Sequence, residues 1–152
     1  MPGTDDAAEA MYRFLEFRTG RYMTRKVEVV TRKMTMRQLQ ELFEKHDFNS
    51  FPVVEDGKVV GIVTKLDFLQ NFAFTTGQML PRYNELMART IAEVMTEAVI
   101  HVEPEAPLTR VLQLMVHLKA RSLPVIERGR LAGMISREDI MRALAEATAA
   151  KD

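Results

Sequence analysis

The sequence predicts a mixed α/β (α+β) fold built from two pseudo-symmetric copies of one strand-helix-strand-strand-helix unit, and three observations predict it. First, the chain repeats itself. Shifted by 72 residues, Met23-Thr24 falls on Met95-Thr96, Val27 on Val99, and Ser50-Phe51-Pro52-Val53-Val54 on Ser122-Leu123-Pro124-Val125-Ile126. Gly57 and Gly61 fall on Gly129 and Gly133, and Asp67 on Asp139. No gap is needed from Met23 to Phe72, and one register holding the Pro, both Gly and the Asp marks a duplicated supersecondary unit. Second, each copy switches from helical to strand periodicity at the same place. Third, 47% apolar and 28% charged residues is the composition of a folded globular chain.

The elements follow in order. Met11, Phe14, Leu15 and Phe17 predict an amphipathic helix over Ala7–Arg18. Met36, Leu39, Leu42, Phe43 and His46 recur at three- and four-residue spacing and predict a helix starting near Thr35. Leu108, Val111, Leu112, Met115 and Leu118 repeat that stripe, with Pro107 suited to the first helical turn. Short apolar runs follow each helix: Phe51–Val54 and Val59–Val63 around Asp56-Gly57, then Leu123–Ile126 and Leu131–Ile135 around Arg128-Gly129. Each pair reads as a β-hairpin too apolar to face water on both sides. Lys65–Phe72 and Arg137–Ala147 close the copies as helices. Between the copies, Ala73–Arg89 reads as a loop with Thr75-Thr76-Gly77 and Pro81, then a short helix bearing Tyr83, Leu86 and Met87.

The organisation expected is therefore 1–22 as N-terminal helix and lead-in to the first strand, and 23–72 as the first copy. A linker with a short helix spans 73–90, the second copy 91–148, and a tail 149–152. One copy of about 50 residues can barely bury a core, so the two are expected to pack face to face. The 21 basic and 21 acidic residues cancel, which gives no electrostatic reason to expect nucleic acid or an anionic membrane as partner. The absence of Cys excludes a disulfide scaffold, a cysteine nucleophile and a Cys-ligated metal. No apolar run approaches a membrane span, and Met1–Ala10 carries acids where a signal peptide would be basic and apolar, so a cytoplasmic location is expected.

A unit opening with Met-Thr, carrying Pro-Val-Val in its middle strand and Gly-x-x-Thr-x-x-Asp at its end resembles the cystathionine β-synthase (CBS) domain. Here these are Met23-Thr24, Pro52-Val53-Val54 and Gly61-Ile62-Val63-Thr64-Lys65-Leu66-Asp67. Their second-copy counterparts are Met95-Thr96, Pro124-Val125-Ile126 and Gly133-Met134-Ile135-Ser136-Arg137-Glu138-Asp139. Two in tandem resemble a stand-alone Bateman module. The resemblance implies a non-enzymatic regulatory role. Adenine nucleotide (AMP, ADP or ATP) or S-adenosylmethionine would bind in the cleft between the two CBS motifs, with no required cofactor, and a homodimer would pass its change of shape to a regulated partner not identifiable from sequence. The expected ligand-binding positions are Thr24, Val27, Ser50, Phe51, Pro52, Ile62, Thr64 and Asp67, with Thr96, Val99, Arg121, Ser122, Leu123, Pro124, Met134, Ser136, Arg137 and Asp139.

The chemistry of these positions fits that role. A carboxylate at a strand-to-helix junction can accept both hydroxyls of a ribose diol, and free backbone N–H groups at a helix start can receive phosphate. Val27, Ile62, Val99 and Met134 are apolar enough to flank a flat base. Arg121 and Arg137 are the cations suited to phosphate, whereas the first copy has Asn49 where the second has Arg121. The second copy is therefore expected to contribute more to phosphate affinity. Thr64-x-x-Asp67 and Ser136-x-x-Asp139 are equally ordinary helix caps, and a ligand-independent dimeric adaptor is the alternative function. Gly57–Gly61 lacks P-loop spacing and reads as a hairpin turn. His46, His101 and His117 lack metal-ligand spacing, His101-Val102-Glu103 reads as a solvated pair, and no nucleophile triad or acid pair can be assembled. The 11 Met read as core fillers and the basic residues of Arg21–Lys33 as a solvated face.

Overall fold

The computed structural model describes residues 4–73 and 83–149. The fold is mixed α/β, as expected, and resolves into two compact units, one formed by Glu28–Val99 and the other by Met1–Val27 together with Ile100–Asp152.

In the Glu28–Val99 unit, helix α3 (Met36–Lys45) begins where the stripe predicts. Thr35 caps it in a reciprocal box: the Gln38 N–H donates to the Thr35 hydroxyl (3.3 Å) and the Thr35 N–H to the Gln38 side chain (2.9 Å). Strands β1 (Ser50–Glu55) and β2 (Lys58–Thr64) pair antiparallel and lead into α4 (Lys65–Gln70). Asp56 and Gly57 both have positive φ (52° and 78°), the geometry of a two-residue type I′ turn. Val30, Met36, Leu39, Phe51, Val53, Val63, Met87 and Ile91 form the core.

The other unit repeats this plan with α7 (Leu108–Leu118), β3 (Ser122–Glu127), β4 (Arg130–Ser136) and α8 (Arg137–Thr148). Pro107 stands one position earlier than expected, as the N-cap, with no side chain to bond the helix start. Helix α1 (Thr4–Glu16) lays Ala10 and Phe14 inward and packs on α7 and α8. Its core holds Phe14, Tyr22, Met23, Val102, Leu108, Val111, Met115, Leu123, Val125, Ile135 and Ile140.

Three short helices complete the description. Two escaped the sequence reading, α2 (Thr19–Tyr22) and α6 (Ile91–Val94), each a single turn without useful periodicity. The linker helix is α5 (Tyr83–Met87), with Met87 buried. Thr75-Thr76-Gly77 and Pro81 lie outside the described residues.

The opening strand expected in each copy is not a strand. It survives as isolated bridges, each joining two residues of the same unit. Thr24 pairs antiparallel with Met134, and Val30 pairs parallel with Val53. In the second copy Thr96 pairs with Ile62, and Val102 with Val125. The start of each lead-in thus lies against the hairpin of the other copy and its end against the hairpin of its own copy, each pair within one compact unit. Glycine permits this approach. A Cβ at Gly133 would stand 2.5 Å from the Thr24 carbonyl oxygen, and one at Gly61 would stand 2.8 Å from the Met95 sulfur and 3.0 Å from the Thr96 carbonyl oxygen.

Candidate functional site

Both candidate sites form where the second strand of a hairpin ends and a helix begins. At the end of β2 the Asp67 N–H donates to the Thr64 hydroxyl (3.0 Å), and the Thr64 N–H donates to Asp67 Oδ2 (2.9 Å). At the end of β4 the Asp139 N–H donates to the Ser136 hydroxyl (3.2 Å), and the Ser136 N–H to Asp139 Oδ2 (2.9 Å). The capping interpretation therefore holds in both copies. A carboxylate has about four lone-pair positions, so one bond to its own helix start leaves Oδ1 for other work.

What meets Oδ1 differs between the copies. In the Glu28–Val99 unit, Ile62 and Thr96 exchange backbone hydrogen bonds of 2.9 and 2.8 Å. This sets the Thr96 hydroxyl 3.4 Å from both Asp67 oxygens, a long contact that a ligand hydroxyl can readily replace. Ile62, Thr64, Asp67 and Thr96 are thus brought together, with half-buried Val99 on the same lead-in segment.

In the other unit Thr24 and Met134 exchange bonds of 2.8 and 2.9 Å, and half-buried Val27 follows. Asp139 Oδ1, however, accepts from the guanidinium of Arg142, one turn along α8. Asp139 is only 4% exposed. Arg142 also donates to the Tyr22 carbonyl (3.4 Å). The Tyr22 hydroxyl donates to Glu146 (2.8 Å), which pairs with Arg21 (2.5 Å). Burial, reinforced by the bond to Glu146, pushes the Tyr22 phenol up to about 12. Arg142 is the site residue that the sequence reading missed, although an Asp followed three residues later by Arg on a helix is a pairing signal.

Several expected positions already have partners within the fold. Phe51 is fully buried and packs on Phe43 (ring centroids 4.9 Å), and Leu123, Pro52 and Pro124 are buried as well. Phe51 and Leu123 face the two cores, whereas Pro52 and Pro124, one residue further along each strand, face the opposite side. The Pro52 and Pro124 carbonyls already accept from Val30 and Val102 (3.0 and 3.1 Å). Arg137 is also engaged: its Nε–H donates to the Ala120 carbonyl (3.1 Å) and a terminal N–H to that of Lys119 (3.3 Å). It caps the end of α7, where Lys119 takes a left-handed conformation (φ 56°), and so has fewer donors left for phosphate. Ser50 and Ser122 sit opposite Thr64 and Ser136 in the hairpin registers, and Arg121 is exposed. No group of three His, Asp or Glu fit to hold a metal occurs among the described residues.

The CBS domain family matches this chain twice, over residues 19–73 and 91–146. The chain belongs to that family. Among its relatives is the uncharacterized protein MJ0188 of Methanocaldococcus jannaschii, 31% identical over 140 residues. That match covers 90% of this CBS chain and 48% of the relative, and the chain spans about half the length of such curated relatives. Two solved structures share the fold. CBSX2 in complex with AMP gives a TM-score of 0.73 at 24% identity, covering 86% of this chain and 97% of that one. The CBS domain pair of protein MJ0100, in complex with 5′-methylthioadenosine and S-adenosyl-L-methionine, gives 0.68 at 25% identity, covering 83% and 98%. No helix among the described residues is long and apolar enough to cross a membrane.

Proposed function

We propose that this chain is a non-enzymatic regulatory module that binds an adenine nucleotide or related adenosyl ligand and passes its occupancy to a partner protein by a change of shape. The observation that carries this is the Asp67 carboxylate, half-buried beside the Thr96 hydroxyl at a strand-to-helix junction. A carboxylate with one oxygen fixed by its own backbone and the other held loosely offers acceptors for the two hydroxyls of a ribose. Ile62 and Val99 supply apolar surface for a base. The AMP complex of CBSX2 and the 5′-methylthioadenosine and S-adenosylmethionine complexes of MJ0100 support the ligand class. A thermal-shift series with AMP, ADP, ATP and S-adenosylmethionine tests it. A ligand at 100 times its dissociation constant adds about 2.7 kcal/mol of stability, which such a series resolves. A stabilising shift with at least one is expected. No shift with any at millimolar concentration would make the capping boxes purely structural and leave the dimeric adaptor as the function.

The module acts as a homodimer. Met11 and Leu15 of α1 and Leu112 and Val116 of α7 are exposed, Val116 at 70%. Between these helices runs a groove of about 720 Å³ whose apolar lining comes from Met11, Phe14, Leu112, Leu114 and Val116, with Thr109, Arg110, Gln113 and His117 also lining it. A contiguous apolar face of this kind is what a second copy would cover, in a self-complementary two-fold contact. Sedimentation equilibrium at tens of micromolar should give twice the chain mass, and Val116→Asp should shift it toward the monomer. A wild-type chain sedimenting as a monomer refutes the assignment.

A further inference from the structure

The two copies carry the same capping box but surround its acid differently, and the difference traces to two positions. In the repeat register Arg142 corresponds to Gln70, and Tyr22, whose carbonyl helps hold Arg142, corresponds to Val94. Asp67 therefore meets a hydroxyl at 3.4 Å, while Asp139 meets a guanidinium. The Asp139 side chain is 6% exposed and that of Arg142 is 65% exposed, so the cation reaches in from solvent and seals a buried carboxylate.

We propose that Arg142 is the selectivity-determining residue between the two ribose positions: it occupies the Asp139 oxygen that a ribose diol would use, so the chain presents one open position, at Asp67, and one closed. This rests on the adenosyl-ligand reading above and deepens it. To enter the closed position, a neutral diol must displace a cation from a nearly buried anion. Its two O–H groups can replace hydrogen bonds but not the charge, and a buried anion stripped of its cation is costly. At Asp67 the diol replaces only a long hydroxyl contact. The network Arg21–Glu146–Tyr22 beside Arg142 ties the closed arrangement to α2, so the seal is part of the packing of α8 and not one loose side chain.

The test is isothermal titration with AMP on the wild type and on Arg142→Gln, which installs the residue of the first copy. Wild type is expected to take up one AMP per chain, and Arg142→Gln a second, or to tighten a weak second phase at least tenfold. Asp139→Asn is expected to leave the wild-type AMP affinity within about twofold. Unchanged stoichiometry and affinities in Arg142→Gln overturn the proposal, as does weaker binding, which would mean that Arg142 holds phosphate. Should Arg142→Gln fail to fold by its apo melting curve, Asp139→Asn decides: a tenfold loss of affinity overturns the proposal. Two equal AMP sites on the wild type refute only the assignment of Arg142. Wild type and Arg142→Gln both leaving AMP unbound refute the adenosyl reading and this assignment with it.

Discussion

Asp67→Asn is expected to lower AMP affinity by roughly 10- to 150-fold, the range corresponding to the ~1.5–3 kcal/mol typical of hydrogen bonds to charged groups. Asn keeps a carbonyl that can still accept from the Thr64 N–H, the 2.9 Å bond that closes the capping box. It loses the charge, and it replaces an acceptor with an NH2 group that cannot take a ribose O–H. The apo protein should therefore lose about 1 kcal/mol or less, the scale of a charge at a helix start. Titration calorimetry and apo melting curves on the same preparations separate the two effects. Unchanged affinity with a clear loss of apo stability would reduce Asp67 to a cap.

A second large effect is expected where the lead-in segments cross the hairpins. Gly133→Ala puts a methyl carbon 2.5 Å from the Thr24 carbonyl oxygen, so backbone must move. The movement strains the two bonds between Thr24 and Met134 and should cost about 1–3 kcal/mol, the usual scale of overpacking. Gly61→Ala should cost less. Its nearest neighbour, at 2.8 Å, is the sulfur of Met95, a flexible thioether that can turn aside, and the Thr96 carbonyl oxygen is farther, at 3.0 Å. Urea denaturation of the two variants orders the costs. If Gly61→Ala proves as destabilising as Gly133→Ala, close backbone contact is not what selects glycine at these positions.

Much of the architecture was legible because it is local. The hairpins show in Asp56-Gly57 and Arg128-Gly129, where an αL residue followed by Gly matches the twist of the flanking strands. The capping boxes show in Thr64-x-x-Asp67 and Ser136-x-x-Asp139, since both of their bonds close within three residues. The helical stripes of α3 and α7 placed Met36, Leu39, Leu108, Val111 and Met115 in the core, where they lie. The site was less legible. Phe51 and Arg137 have the chemistry of ligand contacts, yet the first is core and the second caps α7. Side-chain type says what a residue can bond, and its surroundings say what it does bond.

By itself the sequence determined the duplication, the longer helices, the two hairpins, the caps, the turns and the family, all of which depend on residues close along the chain or on identities shared between the copies. Only the tertiary structure decided which lead-in lies on which hairpin, because the bridges Thr24–Met134 and Ile62–Thr96 join segments far apart in sequence and the repeat is silent about exchange between its copies. It also decided that two matching acids are not equivalent. Asp67 and Asp139 occupy the same register and make the same cap, but the free oxygen of each takes the nearest strong donor that packing delivers. For Asp139 that donor is a guanidinium held in place by Tyr22, and for Asp67 it is a single distant hydroxyl.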